Sequence, residues 1–210
     1  MPDLFDIGWT TDLLRTSLAL TVPIAFAAIG DVFSERSGIY NIGLEGMMLF
    51  GAFGAALGSF MTGNSVFGAL LGILFGARGA AVLALLSIRL KVDQIVCGIA
   101  INLVALGVTA FLARLIFGLD ATTKTLSGFR PWAIPGLSQI PLIGPTFFNQ
   151  DPLVYVLYIT IPISSWLLYR SAWGLEVRAA GENPAAADSA GAPIFRVRSV
   201  CVLTSGALAG

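Results

Sequence analysis

Few side chains in this sequence can do chemistry, and those few stand at particular places. Histidine is absent, which removes His-based triads, imidazole metal ligands and imidazole proton relays. No Gly-x-x-x-x-Gly-Lys-Ser/Thr run is present to cradle nucleotide phosphates. Carboxylates are scattered and no nucleophile is spaced to work with a base, so neither a catalytic nor a metal centre is expected in this chain. What remains is a set of polar residues set in apolar stretches: Asn41, Glu45, Arg78 and Asn102. A charge placed among apolar groups is costly, so each demands a partner or a task. The other conspicuous run is Gly181-Glu182-Asn183-Pro184-Ala185-Ala186-Ala187. Asn183 suits a helix N-cap, Pro184 the first helical position, and the alanines carry high helix propensity, so a short helix is expected from Pro184.

The elements that position these residues follow from composition. Of 210 residues, 56% are hydrophobic and 11% charged, and the mean hydropathy is +0.85. Soluble domains carry about 25% charged residues, so a water-exposed surface cannot be built from this stock. Twelve Lys and Arg against twelve Asp and Glu give zero net charge, which argues against nucleic acid as a partner. Spanning a bilayer as helix takes about 20 apolar residues, because lipid offers the backbone no hydrogen-bond partner. Five segments qualify, at roughly 13–33, 38–61, 65–88, 94–118 and 152–170, and a sixth starts near 199 and runs to Gly210. The expected fold is all-α, a polytopic transmembrane bundle of about six spans in one domain over 1–210. Because the sixth run is still helical at Ala-Leu-Ala-Gly210, further C-terminal helices are expected. Cys97 and Cys201 lie in apolar stretches and behave as small buried side chains, not as a disulfide framework.

Basic residues in short connections favour the cytoplasm. With the N-terminus outside, Arg36, Arg89, Lys91, Arg170, Arg178, Arg196 and Arg198 face inward, while Arg15, Arg114, Lys124 and Arg130 face outward. The tail before Asp12 holds Asp3 and Asp6 but no Lys or Arg, which agrees with that orientation and lacks the basic region of a cleaved signal peptide. The stretch 119–151, with Pro131, Pro135, Pro141 and Pro145, precludes a long helix and is expected as an extracytoplasmic loop; 171–198 is expected as a cytoplasmic one. Gly54-x-x-x-Gly58 and Gly68-x-x-x-Gly72-x-x-x-Gly76 put small residues on one helix face for close packing.

On these spans Glu45 lies seven residues from one end, Arg78 ten and Asn102 eight. At about 1.5 Å per residue all three fall roughly 10–15 Å from the same boundary. A polar cluster is therefore expected in which Arg78 neutralises Glu45. It either lines a path for hydroxyl-rich solutes or locks helices together, and the residues leave both open.

Two motifs carry a resemblance. Gly-x-Asn-Pro-x-Ala-Ala, as Gly181 to Ala187, resembles the coupling loop of ABC importer permeases of the branched-chain amino acid and simple-sugar group. Ser37-Gly38-Ile39-Tyr40-Asn41-Ile42-Gly43-Leu44-Glu45-Gly46 resembles that group's signature, in the form of nucleoside and simple-sugar permeases that work with basic-membrane-protein-type binding lipoproteins. The resemblance covers essentially the whole chain. It implies a pore-forming subunit in a bacterial-type plasma membrane and no cofactor in this chain. It also implies ABC ATPase subunits that bind ATP and Mg, a second permease subunit and an extracytoplasmic solute-binding lipoprotein. Gly181, Glu182, Asn183, Pro184, Ala185 and Ala186 would transmit ATPase movement, and Asn41 and Glu45 would shape the inner pathway. The chain departs from the group after Ala186, where Ala-Asp-Ser-Ala-Gly-Ala replaces an aromatic and a closing Gly-Ile, so the ATPase contact is expected to differ in detail. Members are also usually longer by several helices. An ion-coupled secondary transporter is the alternative; it needs membrane carboxylates for ion sites, and Glu45 is the acid expected deep in a span.

Overall fold

The computed structural model describes residues 7–118, 128–136 and 143–210. The long helices come first: α1 Ile7–Arg36, α2 Leu44–Thr62, α3 Ser65–Ala84 continued by a π-helical turn at Leu85–Arg89, and α4 Gln94–Phe117. Then follow β1 Trp132–Ala133, α5 Ile143–Phe147, β2 Asn149–Gln150, α6 Pro152–Arg170, α7 Ala172–Glu182, α8 Pro184–Ser189 and α9 Ile194–Ala209. Among the described residues, five segments are long and apolar enough to cross a membrane: Gly8–Arg36, Leu44–Thr62, Ser65–Arg89, Gln94–Phe117 and Pro152–Arg170. The fold is a polytopic helical one, as the composition requires. Lys124, Asp3 and Asp6 lie outside the described residues.

The third, fourth and fifth expected spans agree with the structure to within about a residue at each end. The second does not. The apolar run begins at 38, but α2 begins at Leu44. Gly38 adopts φ 87°, the left-handed geometry that stops a helix, and the Ile39 N–H turns back to the carbonyl of Ser34 at 3.1 Å. Hydropathy does not register this irregular stretch, because Ile39 and Ile42 within it are apolar and run on into α2. The sixth helix starts at Ile194, five residues before its expected place, and a helix not foreseen, α7, precedes α8. Ser171 caps α7, its Oγ accepting the Gly174 N–H at 2.9 Å.

The described chain divides into two compact units, one holding residues up to Ala25 with Phe129–Ile163, the other Phe26–Gly128 with Ser164–Gly210. In the smaller unit β1 and β2 pair antiparallel, Trp132 opposite Gln150. Tyr155 donates its hydroxyl to the Trp132 carbonyl at 2.8 Å and accepts the Gln150 N–H at 3.2 Å. This part of the proline-rich stretch therefore has tied turns and no long helix.

The larger unit is built on small residues. α2 and α3 form an antiparallel hairpin turned at Gly63, and a Cβ on Gly58 would lie 2.9 Å from the Gly68 Cα. α9 packs along α3 in the same manner: a Cβ on Gly72 would stand 2.7 Å from the Gly210 oxygen, and one on Gly206 would meet Ala80 and the Gly76 carbonyl. The glycine stripes thus serve α2–α3 and α3–α9 contact together, while Val66, Leu70, Ile73 and Leu74 point outward. Such exposure suits lipid, which competes poorly with close backbone packing. One core cluster gathers Ile39, Met47, Ala80, Leu83, Cys97, Ile101 and Val202; a second gathers Phe33, Leu168, Val177, Ala180, Val197 and Cys201.

Gly206→Val should lower the thermal midpoint of the detergent-solubilised protein by the equivalent of about 1–3 kcal/mol, the usual cost of overpacking. Gly107→Ala, where an added Cβ meets nothing within 4 Å, should leave it unchanged or higher.

Candidate functional site at the turn between α1 and α2

The residues Gly38 to Gly43 are not helical, so their backbone groups need partners from elsewhere. Neighbouring side chains supply them. Ser34 Oγ donates to the Ile39 carbonyl at 2.7 Å, and the Tyr40 N–H donates to Gln94 Oε1 at 2.8 Å. Asn102 does two things at once: its Nδ2 donates to the Ile42 carbonyl at 3.0 Å and its Oδ1 accepts the Gly46 N–H at 2.7 Å. Gly43 occupies the N-cap of α2 and has no side chain to cap with. Asn102, reaching across from α4, caps α2 in its place. Close approach makes this possible, since a Cβ on Gly46 would stand 2.9 Å from Asn102 Oδ1 and one on Gly98 2.8 Å from the Ile42 Cβ.

Asn41 is 4% exposed. Its Nδ2 donates to Ser205 Oγ at 2.8 Å and approaches Met47 Sδ at 3.3 Å, while its Oδ1 is buried without a partner among the described residues. The signature is thereby tied to α9 on one side and to α4 on the other.

The structure does not join Glu45 to Arg78. Because α2 starts at Leu44, Glu45 stands in its first turn and not deep along a span; it is exposed, where the helix dipole favours a carboxylate. Arg78 is exposed on α3, its guanidinium 5.6 Å from the centroid of the Phe75 ring. Among the described residues no ion pair links the two. The expected depth of Glu45 counts from residue 38, six residues before α2 begins. Asn102 is the member of the expected cluster that makes defined contacts, and they are helix-locking ones.

The second motif folds as the sequence foretold at its core. Asn183 Oδ1 accepts the Ala186 N–H at 3.0 Å and Pro184 opens α8. Glu182, Asn183, Pro184, Ala185 and Ala186 are exposed, whereas Ala187 is buried. Gly181 is different: a Cβ there would meet the Arg36 carbonyl and lie 3.2 Å from the Gly38 nitrogen. The two motifs, about 140 residues apart in the chain, therefore touch. Arg198 spans the junction, donating from Nε to the Ser37 carbonyl and from Nη2 to the Ala180 carbonyl, each at 3.0 Å.

Sequence reasoning passed over Gln94, Arg198, Ser205 and Asp31. Asp31 Oδ1 is buried in α1 without a partner among the described residues. It was visible as an acid inside an apolar run. The roles of Gln94, Arg198 and Ser205 depend on contacts across 18 to 164 residues, which no local pattern carries.

Residues 13–210 match the family described as branched-chain amino acid transport system, permease component. The chain belongs to that family. Among similar proteins, the guanosine ABC transporter permease protein NupQ of Bacillus subtilis is 37% identical over 94% of this chain and 64% of its own length. The nucleoside ABC transporter permease protein NupC of Lactococcus lactis is 38% identical over 94% of this chain and 64% of its own. A putative glucose ABC transporter permease protein of Haloferax volcanii is 35% identical over 97% of this chain and 62% of its own. The chain thus spans just under two-thirds of the length of these curated relatives. No solved structure matches it. The resemblance seen in the two motifs is borne out at the level of the family.

Within this permease fold, Asn102→Ala should destabilise by about 1–2 kcal/mol, since it strips the cap of α2 and frees a carbonyl; a thermal melt in detergent measures it. Glu45→Gln and Arg78→Ala should act independently. Their effects on stability should add to within about 0.5 kcal/mol in the double variant, as for residues without shared contacts.

Proposed function

We propose that this chain is the pore-forming permease subunit of an ATP-driven importer for a small polar solute, a nucleoside or a simple sugar. The carrying observation is the exposed α8, held by Gly181 against the turn that leads into α2. A short helix of Pro184, Ala185 and Ala186 offers a low, smooth surface on which a soluble partner can seat closely. On this reading ATP and Mg are bound by a separate ATPase chain that docks at Gly181 to Ala186, and movement there reaches Asn41 and the capped start of α2. The names of the relatives, two nucleoside and one glucose permease protein, support the solute class.

The proposal includes a second permease subunit and an extracytoplasmic binding lipoprotein in the assembly, and an N-terminus on the outer side of a bacterial-type plasma membrane. The basic residues near the helix ends, Arg36, Arg89, Lys91 and Arg170 among them, support that orientation. Glu45 and Arg78 remain candidates for the pathway wall, each acting alone.

Affinity purification of the full-length chain in mild detergent, followed by mass spectrometry, should recover an ABC ATPase in stoichiometric amount. Uptake by reconstituted vesicles should need internal or external ATP on the ATPase side and persist when ion gradients are dissipated. Recovery of no ATPase together with gradient-driven uptake would instead establish an ion-coupled carrier and remove the proposal.

A further inference from the structure

Arg198 lies in the second turn of α9 and joins two elements at places where each lacks donors. Ser37 follows the last residue of α1, and Ala180 stands in the last turn of α7. Carbonyls at helix C-termini have no intrahelical donor and sit at the negative end of the helix dipole, so a guanidinium suits them. The planar fork of arginine reaches two acceptors in fixed geometry, which a lysine ammonium does not. Here both bonds are 3.0 Å and partly buried. Behind them, Phe33 of α1, Val177 and Ala180 of α7, and Val197 and Cys201 of α9 form one buried cluster. Gly181 and Gly38 keep the two backbones in contact beside it, a Cβ on Gly38 lying 3.2 Å from the Gly181 Cα and 3.1 Å from Arg198 Nη2.

The path from α8 to the signature is continuous. Asn183 is both the last cap of α7 and the N-cap of α8, so the two helices share a residue. Arg198 links α7 to Ser37, and four residues on, Asn41 donates to Ser205 of the same helix α9. On the importer reading, we propose that Arg198 is a positioning residue that passes displacement of α7–α8 to the α1–α2 turn. It clamps two helix ends to one rigid strut, so that α8 cannot shift without moving the segment that holds Asn41. Charge-assisted bonds are about twice as strong as neutral ones, which fits a joint that must carry a load repeatedly.

The test uses the full-length permease in its assembled transporter, reconstituted in vesicles, with ATP hydrolysis and solute uptake measured in one preparation. Arg198→Ala should still co-purify with the ATPase and hydrolyse ATP at a rate within about twofold of the parent. Uptake per ATP should fall about tenfold, within the range for coupling between sites. Arg198→Lys, which keeps the charge but loses the rigid two-nitrogen fork, should fall between, and it carries the test if the alanine variant does not reach the membrane. Unchanged uptake per ATP, or hydrolysis and uptake falling in the same proportion, overturns the role. Failure of the importer reading itself shows separately, as a parent chain that binds no ATPase.

Discussion

The larger unit depends on satisfying a backbone that leaves the helix between Gly38 and Gly43. The long helices hydrogen-bond within themselves, but here carbonyls and N–H groups face outward from an irregular stretch of chain, next to helices whose surfaces are apolar. In lipid each unsatisfied group costs several kcal/mol, so irregular backbone survives only where protein surrounds it. Gln94 and Asn102 of α4, Ser34 of α1 and Arg198 of α9 provide that surrounding. Four side chains from three helices thus fix the seven residues from Ser37 to Gly43.

Glycine is the means by which the helices arrive. Gly46 and Gly98 let α2 and α4 approach until an asparagine of one reaches the backbone of the other, and Gly38 with Gly181 does the same for the α1–α2 turn and α7. The stripe on α3 then draws α2 and α9 onto opposite parts of a single face. Larger side chains would move these backbones apart by more than the length of a hydrogen bond's tolerance, so the polar contacts and the small residues form one device.

Hydropathy, glycine spacing and caps made much of the fold legible. Ser65–Arg89, Gln94–Phe117 and Pro152–Arg170 were evident from apolar runs bounded by charge or proline, and α8 from Asn183 and Pro184. The break at Gly38 was not evident, because a hydropathy window averages over a glycine that turns left-handed. That single shift moved Glu45 from a supposed depth to a helix end and dissolved its pairing with Arg78. The unforeseen α7 has a readable cap in Ser171, obscured by Gly174 and Gly181, which lower helix propensity. Of the candidate site, the two motifs were legible as separate strings of residues. Their contact was not, since it is made by Gly181 and Arg198 and depends on how α1, α7 and α9 converge.

Both cysteines of the chain, Cys97 and Cys201, are free and buried, 3% and 0% exposed, within the two core clusters. A thiol shut away among apolar side chains is a poor target for maleimides and for spin-label reagents, which attack the accessible thiolate. These 210 residues therefore offer a chemically quiet background. A single cysteine placed on an exposed position such as Ala185 or Trp132 could be tagged selectively without first stripping out the resident thiols and the packing they supply.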